Sequence, residues 1–292
     1  MSTILLLLGA GLARGAVFAL FALALVLIWR ATRIANFAQG AMAVASAYLA
    51  YLVLVGTGSF LLAIVTVLVA GAAIGFGMER GLMRFVPSRS PLNSIIVAIG
   101  AVMVLTGLLG ILFGADYKPI AVPFSREPLE FGGVAVVSPY TLFVFVVVAV
   151  VVAGIAVLFT RTSLGLAMRA SAFDDEVARL NGVRVSRMRT IGWMLSSAVG
   201  GLAVLLAVPT ELGLGPHSGD LLFVNAFTVA IIGGLDSPVG AVVAGLLTGV
   251  LLTVVTTLWG ATVGPIAILI LLVVVLLVRP QGIFSLRKAR LA

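Results

Sequence analysis

The sequence predicts an all-α polytopic integral membrane protein, and three observations carry that prediction. Mean hydropathy is +1.29. Apolar runs of about 20 residues recur along the chain, long enough to cross a hydrocarbon layer of about 30 Å as helices. These runs do not alternate apolar and polar residues in the roughly ten-residue pieces of a membrane β-barrel. Because lipid cannot hydrogen-bond the backbone, helices are then the structure that remains.

Candidate spans lie near residues 4–29, 36–55, 60–78, 93–113, 139–159, 190–208, 221–232, 238–258 and 264–278. The first begins in an apolar stretch, Met1 to Leu8, that lacks a basic leader. It is therefore expected to stay in the mature protein rather than leave as a signal peptide. The seventh, LLFVNAFTVAII, is about 18 Å of helix, too short to cross alone. It reads as half of a broken or re-entrant helix, so eight and nine crossings both stay open. The chain is taken as one transmembrane domain, 1–292, with an external loop at 114–138 and a polar loop at 160–189.

Charge orients the array. Arg30, Arg33, Arg80, Arg84, Arg89, Arg161, Arg169, Arg179, Arg184, Arg187, Arg189, Arg279, Arg287, Lys288 and Arg290 fall in one set of loops and ends. The opposite set holds only Lys118 and Arg126, with Arg14 left inside the first span. The positive-inside rule makes the first set cytoplasmic, together with the C-terminus. It also accounts for the net charge of +8 without nucleic acid. The N-terminus is outside if there are nine crossings. Outside, residues 114–140 carry four prolines, and EFGGVAVV reads as a short strand pair turning at Gly132-Gly133. This stretch is either a capping connector or a docking surface.

Eight charged side chains crowd into residues 169–190, RASAFDDEVARLNGVRVSRMRT. Ser171 followed by Asp174 fits a capping box. Asp174, Asp175 and Glu176 suit the positive end of a helix dipole, and Asn181-Gly182 supplies a left-handed stop. A capped helix of about 14 Å follows, too short to be stable alone in water. It either connects two spans or docks, through charge complementarity, on a soluble partner.

Several chemistries are excluded or weakened by composition. There is no cysteine and only one histidine, His217, so thiolate metal sites and HExxH are absent. Ser218 beside His217 is poorly placed for a nucleophile–base pair. Asp220 and Asp236 flank the short seventh segment, which disfavours an aspartyl dyad and hence an intramembrane protease. With Lys118 and Lys288 the only lysines, no P-loop exists. An ion-coupled carrier calls for an acidic residue within a span. Glu79 at a span end and Asp236 in a glycine-rich break are the nearest. The energy source is expected on another subunit.

Two breaks interrupt the apolar helices. In RIANFAQGAMA, Asn36, Gln39 and Gly40 fall at a span's start; in FTVAIIGGLDSPVGAVVAG, Gly233, Gly234 and Asp236 separate two apolar pieces. Such breaks point to a substrate site in carriers. They also serve as interfacial loops and as close packing through small residues, and an aspartate in a turn commonly caps the next helix.

At these residues the chain resembles a known family. RATRIANFAQGAMAVASAYLAY resembles the asparagine–phenylalanine–alanine–histidine/glutamine–glycine signature of branched-chain amino acid ABC-transporter permeases, of the LivH-like kind rather than the longer LivM-like kind. FDDEVARLNGVRVSRMRTIGWMLSSAVGGLAVLL, FTVAIIGGLDSPVGAVVAGLLTGV and VRPQGIF are similar to that family's cytoplasmic loop with its following span, its glycine-rich segment and its ending. The resemblance covers roughly residues 10–285. It implies that Asp174, Asp175, Glu176, Arg179, Asn181 and Gly182 belong to a segment coupling to an ATPase, and that Asn36, Gln39 and Gly40 lie near the translocation path. It further implies a non-catalytic permease subunit in a bacterial plasma (inner) membrane, working with a homologous permease, two cytoplasmic ATPase subunits and an extracytoplasmic solute-binding protein. ATP and Mg would be held by the ATPases and no cofactor by this chain. Many relatives carry glutamate after the signature glycine, where this chain has Ala41. Relatives also move urea, short amides and other small polar solutes.

Overall fold

The structure, a computed structural model, describes residues 2–86, 91–131, 134–135, 137–210, 213–279 and 282–284. Along the chain the elements are α1 (Ser2–Thr32), α2 (Gln39–Thr57), α3 (Phe60–Gly81), α4 (Pro91–Phe113), β1 (Glu130–Phe131), β2 (Val134–Ala135), α5 (Pro139–Arg161), α6 (Ser163–Phe173), α7 (Asp175–Leu180), α8 (Val185–Ala207), α9 (Ser218–Gly233), α10 (Pro238–Trp259) and α11 (Gly264–Val278). Among the described residues, eight helical segments are long and apolar enough to cross a membrane, and α9 is a shorter apolar helix.

Helix directions settle how many times the chain passes through the layer. Ala31 and Ala24 of α1 meet Gly192 and Ser196 of α8, so these helices are antiparallel. Gly15 and Ala19 of α1 meet Leu246 and Gly245 of α10, so α10 is antiparallel to α1 as well. With α8 and α10 running the same way, the chain between them must return across the layer. The described helices therefore make nine passes, and α9 with the stretch before it is the seventh. At 16 residues α9 is about 24 Å long. It begins earlier than the apolar run predicts because Ser218 closes the preceding turn, accepting from Gly215 N (2.7 Å) and donating to Gly213 O (3.0 Å).

The ends of α1, α3, α5, α9 and α11 share the arginine-rich face with α6 and α7. The described residues of 114–138 lie on the far face and cap it. Lys118 and Leu214 exchange backbone hydrogen bonds of 2.8 Å each, Tyr140 N donates to Ser125 O (3.1 Å), and Arg126 donates to Pro209 O. The expected strand pair is present, with Glu130 opposite Ala135 and Phe131 opposite Val134. Its turn, Gly132-Gly133, lies outside the described residues, as do Arg89, Arg287, Lys288 and Arg290.

Burial grades the helices from centre to rim. In an 18-residue apolar stretch of α1 and of α8, 83% of residues are buried, against 17% in α4 and 6% at the α11 end. The outer helices thus keep their apolar surface for lipid. In lipid the contact between helices comes from close packing rather than from the hydrophobic effect, so small residues line the seams. Gly11, Gly15 and Ala19 of α1 face Gly245, Leu246 and Val250 of α10, and Gly71 of α3 lies against Ala198 of α8.

This geometry predicts a contrast between two glycine-to-alanine changes. A Cβ at Gly245 would sit 2.6 Å from Ala19 Cα, whereas one at Gly154 meets nothing within 4 Å. Gly245→Ala should lower stability by about 1–3 kcal/mol, read as a lower unfolding midpoint in detergent. Gly154→Ala should leave that midpoint unchanged or slightly raised.

Candidate functional site

The first candidate centre is the break between α1 and α2. Arg33 ends α1 in the left-handed region (φ 58), unusual for a residue with a side chain. The chain then turns inward, and α2 starts beside the middle of α8. Asn36 and Gln39 are both buried. Asn36 Nδ2 donates to Gln39 Oε1 (2.8 Å), Ala38 N donates to Asn36 Oδ1 (3.0 Å), and Gln39 Nε2 donates to Ser196 O (2.9 Å). The Ser196 hydroxyl lies 2.8 Å from Ala24 O and 2.9 Å from Gln39 Oε1, and its one proton serves either. Asn36, Gln39 and Ser196 each have a partner, as a buried network requires.

Gly40 follows directly. A Cβ there would come 3.1 Å from Gly219 O, and one on Gly219 would come 2.7 Å from Gly40 O. The N-termini of α2 and α9 therefore touch, backbone to backbone. Phe37, Phe223 and Phe227 gather beside the contact, with ring centroids 5.6–6.2 Å apart.

The second break, expected at Gly233, Gly234 and Asp236, forms the tight α9–α10 connection. Gly233 packs on Gly240, and Gly234 (φ 92) lies under Gly282. Ile283 N donates to Ile232 O (2.8 Å), so the segment after α11 clamps the end of α9. Asp236 does not cap α10. Ser237 does, accepting from Gly240 N (3.0 Å). The exposed Asp236 carboxylate instead pairs with Arg33, whose Nε also donates to Ala172 O at the end of α6 (3.3 Å). One arginine thus joins the end of α1, the α9–α10 turn and the polar loop.

That loop holds two helices rather than one, which corrects the capping box. Ser171 lies inside α6, its hydroxyl donating back to Ala167 O (2.9 Å). The N-cap is Asp174. Its carboxylate accepts from Glu176 N (2.9 Å) and Val177 N (3.0 Å), and the extended backbone this requires breaks the helix at that point. At the other end Gly182 (φ 80) donates to Arg179 O (2.9 Å) and Val183 N to Ala178 O (3.0 Å). This Schellman pattern confirms the Asn181-Gly182 stop. Asn181 Nδ2 adds a bond to Val177 O (2.8 Å). Asp175 pairs with Arg189 on α8, and Glu176 is exposed.

Between this loop and the ends of α1 and α3 lies a cavity of about 850 Å³. Arg33, Arg84, Arg179 and Arg189 line it together with Glu79 and Asp175, and Phe37 reaches it from the first break. Buried Glu79 accepts from the Thr190 hydroxyl of α8 (2.8 Å) and lies 3.5 Å from Arg80 Nε. The six residues carrying the sequence-level coupling prediction stay together on α7 and its caps. Ser196 and the bridging role of Arg33 were missed. The only sequence signal for Ser196 is a serine pair, Ser196-Ser197, inside an apolar span.

Nine helical passes, a satisfied polar break at their centre and a capped polar loop on the arginine-rich face define a multi-pass membrane protein of the permease type. The chain belongs to the branched-chain amino acid transport system / permease component family, whose model matches residues 7–278. The high-affinity branched-chain amino acid transport system permease protein BraD of Pseudomonas aeruginosa is 28% identical over 290 residues, covering 94% of each chain. A probable branched-chain amino acid transport permease protein LivH of Methanocaldococcus jannaschii is 27% identical over 90% of this chain and 87% of its own. The LivH permease protein of Escherichia coli is 25% identical over 94% and 93%.

The central network predicts a stability effect. Gln39→Leu takes Gln39 Oε1 from the Asn36 amide and Gln39 Nε2 from the Ser196 backbone carbonyl and should cost about 1–2 kcal/mol. Ser196→Ala should cost less, since Gln39 keeps the Ser196 backbone carbonyl. Unfolding midpoints of the purified protein check both.

Proposed function

We propose that this chain is the transmembrane permease subunit of an ATP-driven importer for branched-chain amino acids. In this reading it pairs with a homologous permease and two cytoplasmic ATPase subunits, and receives solute from an extracytoplasmic binding protein. ATP and Mg belong to the ATPases, and this chain transports without catalysing. The arginine-rich face and the C-terminus are cytoplasmic, by the positive-inside rule, in a bacterial inner membrane. Similarity to branched-chain permeases along nearly the whole chain supports the solute class.

One observation carries the assignment of the docking segment. Phe173 at the end of α6 and Val177 and Leu180 of α7 are 88%, 53% and 83% exposed. Asp174, Glu176 and Arg179 are interspersed with them in sequence. An apolar patch with a charged rim, on a polar loop outside the spans, has the make-up of a protein interface.

From that segment a chain of direct contacts leads inward. A push on α7 reaches α8 through Asp175–Arg189 and the short 181–184 turn. It reaches the α9–α10 turn through Ala172, Arg33 and Asp236. Halfway along α8, Ser196 holds Gln39 at the start of α2, where α2 and α9 touch. In this mechanism Asn36, Gln39 and Gly40 act on the path by fixing that junction, and Gly233, Gly234 and Asp236 by fixing the turn that moves with the loop. Solute need bind only weakly, because the external partner supplies the affinity.

Assembled with its partners in vesicles, the chain should support ATP-dependent leucine uptake. Uptake of urea but not leucine would overturn the solute class. Replacing Asp174, Asp175 and Glu176 together by lysine should abolish co-purification of the ATPases, and unchanged co-purification overturns the docking assignment. Asp236→Asn, which weakens the Arg33 bridge, should lower leucine uptake per ATP hydrolysed while the ATPases stay bound.

A further inference from the structure

The cavity between the polar loop and the ends of α1 and α3 holds more positive charge than its own carboxylates balance. Four arginines and two carboxylates line it among the described residues. Arg33 is paired with Asp236 and Arg189 with Asp175. Glu79 accepts from the Thr190 hydroxyl and has Arg80 beside it. The side chains of Arg84 and Arg179 make no ion pair or hydrogen bond among the described residues. Two guanidiniums thus share one cavity in which both lining carboxylates already have a cation.

Its place is the edge of the hydrocarbon layer. The apolar span containing α3 runs on to Phe85, so Arg84 falls at its very end. Met83, Val86 and Ile95 line the cavity, and beside them Leu82, Phe85, Leu92 and Ile96 are exposed. Exposed apolar side chains at the ends of spanning helices meet lipid chains. Trp29 and Trp193 also line the cavity, and tryptophan favours the headgroup level. The positive-inside rule makes this face cytoplasmic, and basic pockets between transmembrane helices on that side receive phospholipid headgroups.

We propose that this cavity holds the phosphate of an anionic phospholipid, with Arg84 and Arg179 donating to its free oxygens and the acyl chains lying along the ends of α3 and α4. A guanidinium offers phosphate paired donors and stays charged at any relevant pH. A zwitterionic lipid brings its own cation beside the phosphate, so two unmatched arginines favour a headgroup of net negative charge. Arg84 belongs to the connection between α3 and α4, and Arg179 to α7. One bound headgroup therefore ties the polar loop to the rim of the helix array.

The tryptophans supply the readout. The chain has three, and Trp259, at the end of α10, is outside the cavity lining. Trp259→Phe thus leaves Trp29 and Trp193 as reporters. The full chain, in nanodiscs of phosphatidylcholine with rising phosphatidylglycerol, should show a saturable change in their emission. Native mass spectrometry should find phosphatidylglycerol retained in preference to phosphatidylcholine. Arg84→Gln and Arg179→Gln should each raise the phosphatidylglycerol content for half the change about fivefold. Their unfolding midpoints in phosphatidylcholine alone should match the parent, and if one variant is destabilised the other carries the test. Arg161→Gln, exposed at the end of α5 and outside the cavity, should leave the response as it is. A response equally sensitive to Arg161→Gln reports surface charge in general and overturns the site. Inorganic phosphate that reproduces the change in phosphatidylcholine alone assigns the cavity to a soluble anion and also overturns it. No saturable change, or parent-like responses in both cavity variants, does the same. Neither solute nor ATPase enters the measurement, so its failure leaves the importer reading standing.

Discussion

A helix that stops inside a hydrocarbon layer leaves backbone groups with nothing to bond to, and the centre of this protein is organised around meeting that requirement. The break between α1 and α2 is tolerated because protein surrounds it and a side-chain network completes its hydrogen bonds. Asn36 takes the amide of Ala38, Gln39 takes Asn36, and α8 takes Gln39 through Ser196. Remove that closure and α2 has no reason to begin where it does. Its contact with the start of α9 then has no support, because Gly40 meets Gly219 only when α2 starts beside the middle of α8. The two polar residues most exposed to suspicion in the sequence thus serve first as the seal of a break.

At the arginine-rich face the same economy of contacts recurs in a wetter setting. Arg33 adopts a backbone conformation that costs a non-glycine residue of order 1 kcal/mol or more. In that conformation it ends α1 and reaches Asp236 and Ala172 at once. Exposed ion pairs contribute little to stability, and Arg33 and Asp236 are 47% and 58% exposed. The pair is better understood as fixing position. It keeps the α9–α10 turn in register with the polar loop, so the two cannot move independently without breaking it.

What the sequence made legible was whatever depends on local composition. Span existence, the arginine asymmetry, the strand pair at Glu130–Ala135 and the Asn181-Gly182 stop follow from hydropathy, charge and backbone preference within a few residues. The misreadings have one cause, which is that competing local partners were settled by tertiary context. Ser171 and Asp174 are both credible N-caps. The aspartate prevails because α6 already runs through Ser171 from its own cap at Thr162, which accepts from Gly165 N (3.1 Å). Asp236 precedes a helix as a cap would, yet a neighbouring serine caps while the carboxylate meets an arginine some two hundred residues away in sequence. The crossing count needed helix directions, which only contacts between distant segments supply. Ser196 was invisible because a serine within an apolar span looks like every other small residue there.

Small residues also decide which parts can move together. Gly71 lies against Ala198 with less room than a methyl group needs, and Gly75 sits against Trp193 in the same seam. Interiors packed this closely do not slide by small increments, so a displacement of α8 has to carry α3 with it. The Gly15–Gly245 seam binds α1 to α10 in the same way. Between the two pairs lie the hydrogen bonds of Ser196 to Ala24 and Gln39, which can exchange partners at far lower cost than a backbone contact can be overridden. Force entering through α7 therefore meets stiff seams along α3–α8 and α1–α10 and a pliant polar joint between them. The joint coincides with the meeting point of α2 and α9, so hydrogen bonds that can exchange partners lie where two buried helix ends face each other.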